Sequence, residues 1–362
     1  MKINYDKIIE NDFEREIYQK KHQELINYLT TFGETDFWTI IREVGGSERR
    51  MMRLINEMIL NKELTYQNNK FNLSNNECKY KEIDYDKLSN ELKSIWEKKP
   101  IPTFLFDQRP VTLKTTIERV KYFLKRNDIY NKNIVFLGDD DLTSIALALT
   151  EVKCQITVLD IDERLINFIN QISEEYNLNI NAKVFNALED VPKELKHKFD
   201  CLITDPTPEV IPFTIFMNDA IDLLKKDNSI IYTSIYSSAM KETNELQNVI
   251  NKMNLYITEI IPRFTEYQAI YELYKEEDIE FMNKYNIPFN EDSICFTESL
   301  FRLKITNKTK KIKINYQGKD IFGKATKRVI KDKNNDIVAY DEYLDKVEIE
   351  MKKNSLKKYI SK

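Results

Sequence analysis

The chain predicts a doubly wound α/β domain preceded by a small N-terminal winged-helix module, and three observations carry that prediction. From residue 114 onward, short apolar runs alternate with amphipathic stretches of helical length. Acidic residues recur where those runs end. Ahead of them, the first 74 residues show three helical patterns and one hairpin pattern. Regular strand–helix alternation builds a mostly parallel sheet whose ligands bind at the carboxyl ends of the strands.

In the first module (1–74), Glu14 to Thr30 reads as a helix and Phe37 to Val44 as a shorter one. Gly45-Gly46 makes a turn, and Ser47 caps a third helix carrying Met51, Met52, Leu54, Ile55, Met58 and Ile59. Glu63 to Tyr66 and Phe71 to Leu73 flank the polar tip Gln67-Asn68-Asn69-Lys70, as hairpin strands do. Arg49, Arg50 and Arg53 on the third helix suit DNA binding. With no second basic element, packing or dimerisation is favoured instead. Residues 75–100 read as a polar linker containing one helix at Tyr85 to Glu97.

The catalytic domain spans 101–307. Lys114 to Arg126 is helical, Ile134 to Leu137 a strand, and Leu142 to Leu149 a helix capped by Asp140 or Asp141. Ile156 to Leu159 forms the second strand, and Leu165, Phe168, Ile169, Ile172 and Tyr176 make the sheet-facing stripe of its helix. Lys183 to Phe185, Cys201 to Thr204 and Ile230 to Thr233 supply further strands, with helices at Phe213 to Leu224 and Glu242 to Met253. Tyr256 to Ile261 and Leu300 to Ile305 close the sheet. Residues 308–362, opening with Lys308, Lys310, Lys311 and Lys313, form a basic, β-rich extension.

Composition removes several function classes. A net charge of −4 argues against general nucleic-acid binding. Met1 to Glu10 has no signal-like apolar stretch and no apolar segment approaches membrane-spanning length, so a cytoplasmic protein is expected. The four cysteines are dispersed, and Cys154 and Cys201 read as buried. Two histidines, His22 and His197, read as surface residues, which leaves little for histidine triads or metal cages.

The chemistry is carried by carboxylates. Gly138-Asp139-Asp140-Asp141 follows the strand Ile134 to Leu137, where a nucleotide-binding fold usually places its glycine-rich loop. Gly138 is alone between Gly46 and Gly318, so three acids stand where backbone amides would cradle a phosphate. Such a mouth favours a cation and repels a ligand carboxylate. Asp160 lies 22 residues after Gly138, the spacing at which an acid accepts ribose hydroxyls. Asp205 ends the Cys201 strand, and Glu266-Tyr267 is placed on a loop. Clustered aspartates also suit magnesium, but no lysine or arginine clamp accompanies them in the sequence, so an organic cation is preferred and no metal site is expected.

Gly138-Asp139-Asp140-Asp141-Leu142-Thr143-Ser144, Val158 to Leu165 and His197 to Asp200 with Ile203 to Pro206 resemble the branched-chain polyamine synthases, as does Phe106-Asp107-Gln108 followed by Thr112. The resemblance runs from about residue 14 to 305. It implies a winged-helix-like N-terminal domain and a Rossmann-like, methyltransferase-like catalytic domain. It also implies a homodimer that transfers an aminopropyl group from decarboxylated S-adenosylmethionine to a linear polyamine such as spermidine. The products would be a branched polyamine and methylthioadenosine. The chain departs from the family in keeping only Cys78 of a Cys-x-x-Cys pair, in having Pro206-Thr207-Pro208 for a Pro-Pro, and in lacking a glycine after Tyr267.

On this reading Asp139 is the base, with Asp205 as second candidate, because polyamine nitrogens must lose a proton before attack. Gln108, Gly138, Asp140, Asp160 and Asp162 bind the donor, while Asp107, Asp141, Glu209, Glu266 and Tyr267 hold the polyamine. Tyr232 and Tyr236 could offer cation–π contacts but fit packing better. Two other readings compete: an S-adenosylmethionine-dependent methyltransferase, and a winged-helix DNA-binding polyamine sensor.

Overall fold

The computed structural model describes residues 3–74, 83–102, 106, 108–226, 228–236, 240–269, 274, 276–290, 293–314, 329–331 and 337–339. The chain divides into two compact units: residues 1–84 with 121–127, and residues 85–120 with 128–362.

The first unit contains α1 (Asp12–Phe32), α2 (Phe37–Glu43), α3 (Glu48–Leu60) and an antiparallel hairpin of β1 (Leu64–Gln67) and β2 (Lys70–Leu73). Asn11 and Asp36 cap the first two helices by accepting from free N–H groups. Ser47 sits at the cap position of α3 without a side-chain cap bond. Tyr18, Leu25, Leu29, Ile40, Met51, Leu54, Met58 and Phe71 pack into one core. Arg50 and Arg53 of α3 pair with Glu14 and Glu10. His22 is not a surface residue as expected: its ring lies 2.7 Å from both Tyr5 Oη and Glu63 Oε2, and two polar partners repay its partial burial.

The second unit is built on a seven-stranded sheet. Its strands are β3 (Asn133–Leu137), β4 (Gln155–Asp160), β5 (Ile180–Val184), β6 (Cys201–Thr204), β7 (Ile230–Ile235), β8 (Tyr256–Gln268) and β9 (Ile294–Lys304). The order is β5-β4-β3-β6-β7-β9-β8, parallel through β7, with β9 antiparallel to both β7 and β8. α4 (Tyr85–Trp96) and α5 (Leu113–Lys125) precede β3, and between the strands run α6 (Thr143–Leu149), α7 (Glu163–Glu175), α8 (Val210–Leu223), α9 (Met240–Lys252) and α10 (Glu276–Lys284). β3, β6 and β7 are almost wholly buried and read as continuous apolar runs, as strands covered on both faces do. The chain leaves β3 toward β4 on one side and toward β6 on the other, so a ligand crevice opens beyond their carboxyl ends.

Four expectations are revised. The edge strand β5 begins at Ile180, ahead of the expected Lys183, because its exposed positions leave no apolar run to read. β8 continues past Ile261, through three register shifts, so Glu266 and Tyr267 lie in a strand and not on a loop. α10 was not anticipated: it buries no side chain and shows no strong stripe. Cys154 is partly exposed. Of the expected extension, β10 (Val329–Lys331) and β11 (Ile337–Ala339) pair antiparallel, while 315–328, 332–336 and 340–362 lie outside the described residues. Among the described residues no helix is long and apolar enough to cross a membrane.

One buried ion pair ties β9 to the segment before β3. Asp128 accepts Arg302 Nε at 2.8 Å and Nη2 at 2.9 Å, a bidentate fork, and Tyr232 Oη donates to the same carboxylate. Burial acts to raise the Asp128 carboxyl, but Arg302 outweighs it and holds Asp128 below the usual range. Removing one partner strands a buried charge, whereas removing both does not. Arg302→Leu is therefore expected to cost about 3–5 kcal/mol in urea unfolding, and Asp128→Asn combined with Arg302→Leu to regain most of it.

Candidate functional site

The loop after β3 is fixed by Gly138, whose φ of +81° is costly for any other residue and whose N–H donates to the Leu159 carbonyl at 2.8 Å. A Cβ on Gly138 would meet nothing within 4 Å, so the backbone angle, and not crowding, demands glycine. Neither Asp140 nor Asp141 is the N-cap of α6 as expected. Leu142 holds that position in the left-handed conformation, φ +53°. The aspartates serve the helix from outside the cap. Asp141 Oδ1 accepts Thr143 N at 3.1 Å and Thr143 Oγ1 at 2.7 Å. Asp139 Oδ1 accepts Ser144 N at 3.1 Å, and its Oδ2 accepts Ser144 Oγ at 2.5 Å.

Asp140, between them, is different. Its Oδ2 is buried and has no hydrogen-bond partner among the described residues. Its carbonyl accepts Lys99 Nζ at 2.8 Å, and that ammonium stands 3.7 Å from the centre of the Trp96 ring. Burial, then Asp141, push the Asp140 carboxyl up to about 8, with Lys99 opposing. Burial likewise brings Lys99 down to about 8. Asp139 is raised by burial and then by Asp141, against the bonds from Ser144.

Arg119 of α5 holds the cluster together. Its guanidinium, 3% exposed, donates from Nη1 to Asp141 Oδ2 and from Nη2 to Asp205 Oδ2 at 2.6 Å. Ser234 Oγ and Thr265 Oγ1 take the remaining contacts of Nη2 at 3.2 and 3.4 Å. Asp205, at the end of β6, also accepts Tyr267 Oη at 2.8 Å, and its Oδ1 is buried without a partner among the described residues. Burial raises Asp205, and Arg119 and Tyr267 work against that rise.

At the end of β4, Asp160 bridges two loops by accepting Asp162 N at 2.8 Å on Oδ1 and Asp139 N at 3.2 Å on Oδ2. Burial lifts its carboxyl to about 6, with those N–H bonds opposing. Asp162 caps α7, accepts Gln108 Nε2 at 3.2 Å and is forked by Arg164. Burial would raise Asp162, but Arg164 outweighs it and holds the carboxyl low.

Asp139, Asp160, Asp162 and Gln108 are thus linked in one set of bonds beside Gly138, and Asp141, Asp205 and Tyr267 in a second through Arg119, with Asp140 between them in sequence and bonded to Lys99. Glu266 points instead to Lys114 Nζ at 3.1 Å, and Glu209 is exposed at the head of α8. Asp107 lies outside the described residues. Tyr232 is bound to Asp128, and Tyr236 packs edge-on against Phe296.

Sequence reasoning missed Arg119, Lys99 and Glu298, and it expected no basic residue beside the aspartates. Arg119 did leave a signal: with Thr112, Thr115, Thr116, Val120 and Phe123 it falls on one buried stripe of α5, where a charge demands a partner. Glu298 Oε2 lies 3.0 Å from Tyr267 Oη. Among the described residues no group of three or more His, Cys, Asp or Glu is arranged to hold a metal ion.

Residues 87–328 match the branched-chain polyamine synthase A C-terminal domain. An N(4)-bis(aminopropyl)spermidine synthase of Methanocaldococcus jannaschii is 37% identical over 188 residues, 51% of this chain and 54% of that protein. One of Thermococcus kodakarensis is 39% identical over 191 residues, again 51% and 54%. The chain thus spans about half the length of the curated relatives it matches. The crystal structure of the Thermus thermophilus branched-chain polyamine synthase, in complex with N4-aminopropylspermidine and 5'-methylthioadenosine, superposes with a TM-score of 0.57. The superposition covers 89% of this chain and 99% of that one at 18% identity, which is a likeness of fold. With the family match running over most of its length, the chain belongs to the branched-chain polyamine synthase A C-terminal domain family.

Proposed function

We propose that the chain is an aminopropyltransferase that uses decarboxylated S-adenosylmethionine to extend a linear polyamine such as spermidine, releasing methylthioadenosine. One observation carries the reading: Asp140 Oδ2 and Asp205 Oδ1 are buried acceptors without a donor among the described residues, at strand ends where a nucleoside fold receives its ligand. Cationic nitrogens satisfy such acceptors. The names of the relatives, synthases of an aminopropylated spermidine, support the same substrate class.

The transfer is a displacement at carbon. A neutral amine nitrogen attacks the methylene next to the sulfonium, the carbon–sulfur bond breaks, its electron pair stays on sulfur as a thioether, and the nitrogen gives up a proton. We assign that proton to Asp140 in place of Asp139. Both oxygens of Asp139 are bonded to Ser144, whereas Asp140 has an oxygen to spare and a carboxyl poised near 8, where a base accepts a proton with useful driving force. Asp205 fixes an ammonium through Oδ1, with Asp141 contributing charge from behind Arg119. Asp160 takes the ribose and Gly138, Gln108 and Asp162 shape the donor side. Tyr267, Glu209, Glu266 and Asp107 are assigned to the polyamine side. Residues 1–74 serve as a winged-helix-like packing module of a cytoplasmic homodimer, a role favoured over DNA binding by the pairing of Arg50 and Arg53 with Glu14 and Glu10.

Purified protein incubated with decarboxylated donor and spermidine is expected to yield an aminopropylated product by mass spectrometry. S-adenosylmethionine, whose extra carboxylate faces the aspartates, is expected to bind at least tenfold more weakly by calorimetry. Methylation of an acceptor with no aminopropylation would overturn the proposal.

Asp140→Asn should lower kcat/KM by about 10²–10⁴-fold, the range for loss of a general base. Asp139→Asn, whose amide oxygen can still accept from Ser144 at the helix start, should keep most of the parent kcat/KM. The sign of the pH dependence follows from the raised carboxyl: the ionised base exists above about 8 and is lost as pH falls. Parent kcat/KM is therefore expected to climb toward about pH 8, with that climb missing in Asp140→Asn. Equal losses in the two variants would return the base to Asp139.

A further inference from the structure

β9 contributes nothing to the site as read from sequence, yet it places a buried acid directly behind Asp205. Glu298 is 4% exposed and lies beside Tyr267, whose Oη is 2.8 Å from Asp205 Oδ2 and 3.0 Å from Glu298 Oε2. The Tyr267 ring is held by a stacked contact with Phe296, centroids 4.5 Å apart.

A phenol has one hydrogen, so it donates to one of these two oxygens only. The other contact needs a proton from the carboxyl side. Arg119 Nη2, 2.6 Å from Asp205 Oδ2, places the negative charge on Asp205. The charged or titratable groups that face Glu298 are Asp205 at the end of β6, Tyr267 on β8 and Arg119 on α5. Ionising Glu298 as well would set Asp141, Asp205 and Glu298 against one guanidinium and make the contact with Tyr267 repulsive unless the phenol gave up Asp205.

We infer that Glu298 is a positioning residue: as a neutral acid it donates to Tyr267, which donates to Asp205, so that Asp205 stays an anion with Oδ1 presented to an ammonium of the acceptor. Arg119 with Asp141 and Asp205 then carries one net negative charge, the complement of one ammonium. This rests on the aminopropyl transfer proposed above and adds a residue that touches no reacting atom. Burial, followed by the Asp205 charge, lifts the Glu298 carboxyl to about 8. The neutral acid is present below that value and lost above it.

The test uses Glu298→Gln, Glu298→Ala and Tyr267→Phe in the full chain. Glu298→Ala and Tyr267→Phe are expected to raise KM for spermidine about tenfold near pH 7, the scale of one lost hydrogen bond to a charged group, with donor affinity unmoved. Glu298→Gln, whose amide donates to Tyr267 at every pH, should recover most of that loss and remove the fall in parent kcat/KM above about pH 8. A second readout does not need activity. The infrared difference spectrum of parent minus Glu298→Gln should show a protonated-carboxyl band at pH 7 that fades past about pH 8. Should the parent make no product, the reaction is wrong while the infrared band still reports the proton on Glu298. Should the parent turn over but Glu298→Ala keep its KM, or the band be absent at pH 7, the inference about Glu298 falls alone. Tyr267→Phe decides the KM arm if Glu298→Ala does not fold.

Discussion

The acidic crevice exists because Arg119 is buried inside it. Taking a guanidinium and two carboxylates out of water is expensive, and their attraction recovers the cost only when geometry is good and the leftover donors are bonded. Here the fork reaches Asp141 and Asp205 at once, and Ser234 and Thr265 take what is left of Nη2, while Nε has no partner among the described residues. That arrangement joins α5, the loop after β3, the end of β6 and strands β7 and β8 around one cation. It also sorts the acids. Burial drives Asp140 and Glu298 toward neutrality, both to about 8, whereas at Asp205 the guanidinium works against the same rise. For the transfer proposed above, environments that push titratable groups apart in this way would separate ammonium binding from base chemistry.

A second consequence concerns helix N-termini. In a phosphate-binding fold the first N–H groups of the helix after β3 point at the ligand and its dipole favours an anion. In this chain Asp139 and Asp141 use up the N–H groups of Ser144 and Thr143, and Asp162 does the same at the head of α7. At the starts of α6 and α7, carboxylates of the chain itself take N–H groups that a ligand carboxylate could otherwise have used. Discrimination between a donor that keeps its carboxylate and one that has lost it would then draw on these occupied N–H groups as well as on repulsion by the aspartates. Three of the N–H groups that would have welcomed the carboxylate are already taken.

The parts of this architecture that could be read from sequence were those with local signatures. β3, β4 and β6 are buried apolar runs, and the glycine and the acid 22 residues later mark two strand ends whatever the rest of the chain does. What escaped was tertiary. The contact of Arg119 with Asp205 spans 86 residues and that of Tyr267 with Glu298 spans 31, and neither has a periodicity. Tyr267 was misplaced because β8 runs through Pro262 and a left-handed Arg263, which look like a strand end. The division of labour within the aspartate triplet was also hidden, since it depends on Leu142 adopting a backbone angle usually left to glycine or asparagine.

That backbone angle explains why three adjacent aspartates need not do the same thing. With Leu142 left-handed, α6 starts one residue after the triplet, and the acids at either end fold back onto its free N–H groups. The middle acid accepts neither of these N–H groups and is left with a bare, buried oxygen. Lys99 shows what such a place selects: an alkylammonium set against the Asp140 carbonyl and the Trp96 face, with three aspartates pulling on its charge and burial loosening its proton. An amine brought into the same surroundings meets the same two forces. The carboxylates hold it, and desolvation makes it readier to become the neutral nucleophile that attack on a sulfonium carbon requires.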